Sequence, residues 1–200
     1  LDTLGAFLEE EGGRYGSTIY LVMDEPYRDI LFDGYAAAST LQAYRNAIVL
    51  SSYSKSLSLA GERIGFMAVH PEMEGKAELL NALTLANRIL GFVNAPALMQ
   101  RVVAELQEVT VDSSIYARRR ELFRQILDDA GFEYELPRGA FYFFPKSPIE
   151  DDVEFCGILQ QQKILAVPGR GFGAPGYFRL AFAVPDDVIE RSADGFSEAI

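Results

Sequence analysis

One cysteine, one histidine and a shortage of positive charge set the first limits on what this sequence can do. Cys156 has no second cysteine with which to close an intrachain disulfide or build a zinc-ligand cluster, so both frameworks are excluded. A lone thiol fits a reducing compartment, and the cytoplasm is the expected location. His70 stands beside Pro71 with no second histidine to share a metal ion, so it reads as a capping or surface residue and no metal site is expected. Lys and Arg total 18 against 29 Asp and Glu, giving a net charge of −11, and no run concentrates the cations. The electrostatic footprint of a nucleic-acid binder is missing, and no nucleic-acid partner is expected. No window approaches the length of a membrane span, and residues 1–16 lack a cationic segment followed by an apolar stretch. A soluble protein without a membrane partner is the expectation. Internal repeats and low-complexity tracts are absent.

What is present suits a globular protein: 200 residues, 49% apolar and 12% aromatic, enough for a core and one or two domains. The chain opens on Leu1 rather than Met, and Leu4, Phe7 and Leu8 already have helical spacing, which reads as a chain cut from a longer one. Residues 1–12 are expected to be helical and to end at Gly12 and Gly13. Short apolar runs at residues 18–23, 47–50 and 64–69 read as strands buried on both faces, part of a parallel α/β sheet. A helix over 73–90 follows, weakened early by Gly75. Pro96 opens the next helix, whose Leu98, Val102, Leu106 and Val109 form one apolar stripe, and residues 116–130 make another helix stopped by Gly131.

From residue 132 the pattern changes to short strands at 132–136, 140–144, 164–167 and 177–183, with a helix at 153–162 and a last helix announced by Pro185. The expected division is residues 1–93 for one domain and 94–200 for linker helices and a smaller α/β domain. Asp151 and Asp152 suit a helix start as caps, whereas Asp128 and Asp129 at a helix end oppose its dipole and read as solvated. Gly169, Gly171 and Gly173 precede no helix, so they fail the dinucleotide fingerprint and read as a loop bordering a site.

Two segments carry chemistry. Asp24-Glu25-Pro26-Tyr27 sits where a strand gives way to a loop, the usual place for ligand groups in an open parallel sheet, although alone it reads equally as a turn punctuated by Pro26. Ser52-Tyr53-Ser54-Lys55 follows the second strand, with Arg63 eight residues further on past Gly61, so one stretch gathers hydroxyls and cations. An isolated lysine is usually a surface charge, and Arg179 amid Phe178 and Leu180 taken alone suits a half-buried strand.

Together, Asp-x-x-Tyr followed by Ser-x-Ser-Lys-x-x-x-x-x-Gly-x-Arg resembles the cofactor site of the class I/II aminotransferases, the fold-type-I pyridoxal-phosphate enzymes. Pro137-Arg138-Gly139-Ala140-Phe141-Tyr142, Val167-Pro168-Gly169 and the segment from Phe178 to Ala183 resemble that family's small-domain signatures, so the likeness covers the whole chain as a carboxy-terminal half. The resemblance implies that Lys55 binds the cofactor aldehyde covalently and acts as the catalytic base. It implies that Asp24 holds the pyridine nitrogen, that Tyr27 donates to the ring hydroxyl oxygen, and that Ser52 and Arg63 hold the phosphate with help from Ser54. Arg179 would grip the substrate α-carboxylate. The implied activity moves an amino group from an α-amino acid to a 2-oxo acid in a homodimer. Alternatives within the likeness are a C–S lyase of the same fold and a non-catalytic effector domain of a transcription regulator. The family's phosphate loop, stacking aromatic and ring-hydroxyl asparagine resemble nothing here, and the Tyr142 and Phe172 regions are expected to line the substrate pocket.

Overall fold

The computed structural model describes all 200 residues, which divide into two compact units: Leu1–Asp29 with Ala36–Val111, and Ile30–Tyr35 with Asp112–Ile200. Against the expected boundary at 93/94, the helix that follows Pro96 falls in the first unit, and six residues from early in the chain fall in the second. No helix is long and apolar enough to cross a membrane.

The first unit runs α1 (Asp2–Tyr15), β1 (Leu21–Asp24), α2 (Thr40–Ala43), β2 (Ala47–Ser52), α3 (Tyr53–Ser56), β3 (Gly65–Val69), α4 (Lys76–Ile89) and α5 (Ala97–Glu105). Two glycines with positive φ set helix ends here: α1 passes through Gly12 and Gly13 and stops at Gly16, and α4 starts only after Gly75. The expected stop at Gly12 fails because a glycine weakens a helix interior without forbidding it. β1 pairs with β2 in parallel, but β3 pairs with β2 antiparallel. In what the sequence predicts to be part of a mainly parallel sheet, β3 is thus the antiparallel member, since the short link from β2 to β3 contains no helix of crossover length. Ala47, Ile48 and Val49 are buried at the centre of the sheet. On α5 only Val103 is buried; Leu98 and Val109, expected on an apolar stripe, are exposed.

The second unit contains α6 (Ser113–Asp129), β4 (Tyr142–Phe143), α7 (Asp152–Gln161), β5 (Val167–Pro168), β6 (Phe178–Ala181), α8 (Asp186–Glu190) and α9 (Ala193–Glu198). β6 is the middle strand, antiparallel to β4 and to β5. Residues 132–136 form no strand, and the expected last helix is broken in two where the Ser192 hydroxyl donates to the Ile189 carbonyl at 2.6 Å. Phenylalanine builds this core. Phe132, Phe155 and Phe178 pack ring against ring with centroids 5.1–5.9 Å apart, and Phe196 meets Phe123 and Phe132 edge on. Aromatic pairs in these tilted and edge-on arrangements add about 0.5–1.5 kcal/mol each beyond the burial of their area.

Residues 30–35 are fastened into this unit by polar contacts. Arg120, buried on α6, donates through both terminal nitrogens to Asp33 at 2.7 and 2.8 Å and to the Pro137 carbonyl at 2.9 Å. Its guanidinium also lies 4.7 Å from the Phe32 ring centroid. Asp128, expected to be merely solvated, instead accepts from Arg124 and from the Tyr134 hydroxyl. Burial, followed by the Asp128 hydrogen bond, holds the Tyr134 phenol well above its ordinary pKa.

Candidate functional site

In the first unit, pleat and register decide what the chemistry-bearing residues can do. β1 ends in Asp24, which pairs with Leu50, and the next amide, Glu25 N–H, donates to the Leu50 carbonyl at 2.8 Å, extending the pairing into the turn. Side chains alternate across a sheet, so Asp24 shares a face with Leu50, Ser52 and Met67. Asp24 and Met67 are exposed on that face.

β2 runs straight into α3, a single turn carrying Ser54 and Lys55. Tyr53 N–H donates to the Ile64 carbonyl at 3.2 Å, while Leu57 and Leu59 N–H groups donate to the Tyr53 carbonyl. The far end of the turn is tied down at buried Ser56, whose carbonyl accepts from Val111 N–H at 2.7 Å and from the Thr110 hydroxyl at 3.2 Å. That anchor pairs residues 54 apart, and nothing local in the sequence signals it. Gly65 lets β3 approach: a Cβ there would stand 2.5 Å from the Ser51 carbonyl oxygen and 3.1 Å from the Ser52 Cβ.

The result brings two sequence-predicted residues together. The Lys55 ammonium lies over the Tyr27 ring, 5.6 Å from its centroid, a cation–π placement. Arg63 is exposed, takes a left-handed backbone (φ 51°) and donates to the Ala60 carbonyl at 3.0 Å, so its guanidinium is steadied by its own turn. A cavity of about 360 Å³ in this unit meets this set at Ser52. Its sheet lining is mainly Val49, Ser51, Phe66 and Ala68, the opposite face from Asp24, and neither Tyr27 nor Lys55 borders it. Glu25 faces this cavity, paired with Arg28 at 2.8 Å and hydrogen-bonded by the Thr40 hydroxyl.

In the second unit, Arg179 sits on β6 between buried Phe178 and Leu180, half-buried itself. Its guanidinium carbon lies 4.5 Å from the Tyr142 ring centroid and 4.5 Å from that of Phe172. Tyr142 pairs with Ala181 across the β4–β6 ladder, two residues along from Arg179, so register places both on one face. Most other arginines of this unit are occupied by carboxylates, among them Arg119 by Asp186, Arg120 by Asp33, and Arg124 by Glu121 and Asp128, whereas Arg138 lies over the Tyr35 ring, 4.8 Å from its centroid. The Arg179 side chain makes no ion pair or hydrogen bond and keeps its N–H fork available.

Phe172 belongs to a 3-10 turn, Gly169–Phe172, that the sequence left as a loop. Asp152 holds this turn. Fully buried at the start of α7, it accepts from Arg170 N–H at 2.7 Å and from Arg170 Nε at 2.7 Å, and the same guanidinium reaches Asp151 at 2.6 Å. Burial pushes the Asp152 carboxyl up, but the side-chain and backbone hydrogen bonds from Arg170 outweigh it and the pKa is lowered. Asp151 caps α7 as expected, accepting from Val153 and Glu154 N–H. Gly169 is required by close approach, since a Cβ would meet the Ala174 carbonyl oxygen at 2.3 Å. Sequence reasoning took Asp152 for a second cap; its spacing from Arg170 carries no recognisable signal.

The family model for aminotransferase class I and II matches residues 15–196. LL-diaminopimelate aminotransferase of Dehalococcoides mccartyi is 32% identical over 181 residues, covering 84% of this chain and 45% of that protein. A second relative, the (5-formylfuran-3-yl)methyl phosphate transaminase of Methanocaldococcus jannaschii, is 28% identical over 195 residues, covering 92% of this chain and 50% of its own. Among solved structures, an amino transferase from Eubacterium rectale superposes with a TM-score of 0.95 at 38% identity, over 99% of this chain and 50% of that one. The chain thus spans about half the length of the curated relatives it matches. Its α/β architecture is part of the fold-type-I pyridoxal-phosphate transferase fold. With the family pattern running through almost every element described above, the chain belongs to the class I and II aminotransferases.

Proposed function

We propose that the full-length protein is a pyridoxal-phosphate-dependent aminotransferase that moves the amino group of an α-amino acid to a 2-oxo acid, with Lys55 as its catalytic residue. The observation that carries this reading is the Lys55 ammonium over the Tyr27 ring at the end of β2, beside a strand whose Asp24 and Ser52 side chains share one sheet face. The donor set fits the cofactor. An amine suits an aldehyde, a carboxylate a pyridine nitrogen, a phenol a ring hydroxyl, and the hydroxyls of Ser52 and Ser54 with the Arg63 fork suit a phosphate.

When bound, pyridoxal phosphate supplies an aldehyde that captures amines and a ring that accepts the electron pair left on the substrate α-carbon. Asp24 would hold the ring nitrogen and favour its protonated form, which maintains that acceptance. Tyr27 would donate its phenolic hydrogen bond to the ring hydroxyl oxygen. Lys55 Nζ would hold the cofactor aldehyde and, once free, would serve as the base that moves the proton at the substrate α-carbon. Arg179 orients the substrate by taking its α-carboxylate edge on through two parallel N–H donors. Support for that role is its freedom from carboxylate partners in a unit where most other arginines are paired.

A homodimer in the cytoplasm completes the proposal. Its support is the exposed apolar side chains of Ile89 at the end of α4, Leu90 and Phe92 after it, and Leu98 on α5, together with the single cysteine. The test is amino transfer to 2-oxoglutarate by the full-length protein across a panel of amino acids. Transfer by the wild type and its loss in Lys55→Ala are expected; transfer retained in Lys55→Ala overturns the assignment of Lys55.

A further inference from the structure

We infer that Phe172 is a positioning residue: its ring, with that of Tyr142, fixes the Arg179 guanidinium so that its N–H edge is presented to a ligand carboxylate. The inference rests on the proposed role of Arg179 and adds what makes that arginine competent.

A free arginine has many rotamers, and ordering it on binding weakens affinity. A carboxylate neighbour would order it but would also occupy its donors. A ring orders it without accepting an N–H hydrogen bond, because the attraction runs from the cation to the π face. Arg179 has two such contacts, each at 4.5 Å from its guanidinium carbon, in a unit where Arg119, Arg120 and Arg124 hold carboxylates.

Phe172 itself packs like no core residue. It is 49% exposed, and its ring neighbour is Phe144 at 6.0 Å. Its position is nonetheless defined, because the turn that carries it hangs on Arg170 and the fully buried Asp152. A buried carboxylate spent on one surface turn makes sense if what the turn carries must stay in place. The ligand class follows: a molecule bearing a carboxylate, recognised at Arg179 through an edge held ready by Phe172.

The experiment uses the full-length protein loaded with pyridoxal phosphate and measures dissociation constants of propionate and of propylamine by ligand-observed NMR. Phe172→Leu, which keeps bulk and removes the π face, is expected to weaken propionate about fivefold. Phe172→Tyr restores wild-type affinity, and propylamine, lacking the carboxylate, binds all three proteins alike. Arg179→Gln weakens propionate more than Phe172→Leu does. Unchanged propionate affinity in Phe172→Leu alongside weakening in Arg179→Gln overturns the role of Phe172 and leaves that of Arg179 standing. Unchanged affinity in Arg179→Gln overturns both. Equal losses for propionate and propylamine in Phe172→Leu, or no recovery in Phe172→Tyr, make Phe172 a structural residue only and overturn the inference.

Discussion

The Lys55 ammonium stands 5.6 Å from the centroid of the Tyr27 ring, although the two residues lie on separate strand-to-turn junctions. Parallel pairing of β1 with β2 brings those junctions side by side, since the carboxyl ends of parallel neighbours point the same way. Tyr27 therefore offers Lys55 an aromatic surface and the proposed ring-hydroxyl partner at once.

Those two contributions separate by substitution. Tyr27→Phe keeps the ring beneath Lys55 and deletes the phenol; with about 1.5–3 kcal/mol for a hydrogen bond to a charged group, kcat falls about 10- to 100-fold. Tyr27→Leu removes the ring as well and falls further. Steady-state kinetics of both variants check this, and equal kcat for Tyr27→Phe and the wild type would exclude the phenol from the reaction.

Asp24→Asn preserves size and removes the charge that the proposal assigns to the ring nitrogen. A loss of at least about a hundredfold in kcat is expected, comparable to deleting one preorganised electrostatic group elsewhere. Cofactor content, read by absorbance, is expected to change less than kcat does. Full activity in Asp24→Asn would remove Asp24 from the mechanism.

Stability should respond to two positions for different reasons. Phe196→Ala opens a cavity among the phenylalanines of the second unit and is expected to cost about 3–5 kcal/mol. Gly65→Ala puts a Cβ 2.5 Å from the Ser51 carbonyl oxygen, and strain of about 1–3 kcal/mol follows as β3 moves from β2. Denaturant unfolding measures both, and a Gly65→Ala protein as stable as wild type would show that the strands separate without penalty.

Acid should loosen the second unit. Asp33 is held below its ordinary 3.8 by the Arg120 hydrogen bond, and Asp152 is lowered by Arg170 against the opposing effect of burial. A carboxyl whose folded pKa is depressed contributes stability that is complete above its unfolded value and is lost as pH falls through the folded one. Melting temperature is thus expected to hold near neutrality and to drop below about pH 4. Asp152→Asn should melt lower than wild type at pH 7, with the gap narrowing in acid. A gap that stays constant from pH 7 to pH 3 would contradict the assignment.

How much of this could be read beforehand depends on how local each signal is. Asp24, Ser52 and Lys55 lie where strands end, and apolar runs followed by polar residues mark such ends in sequence. The direction of β3 was not legible, because an apolar run looks the same in either direction and pairing decides. The stripe on α5 failed for a related reason: spacing states which residues share a face, not that anything covers it, and Leu98 and Val109 stay exposed. Phe172 beside Arg179 and Asp152 beneath Arg170 are tertiary contacts without periodicity, so the sequence showed the arginine but not what holds it.

The most direct test of the central claim is covalent. Full-length protein incubated with pyridoxal phosphate, reduced with borohydride and digested, should yield one phosphopyridoxyl peptide with the modification on Lys55 and none in Lys55→Ala. A modification on another lysine, or none at all, would contradict the assignment of Lys55 as the residue that binds the cofactor.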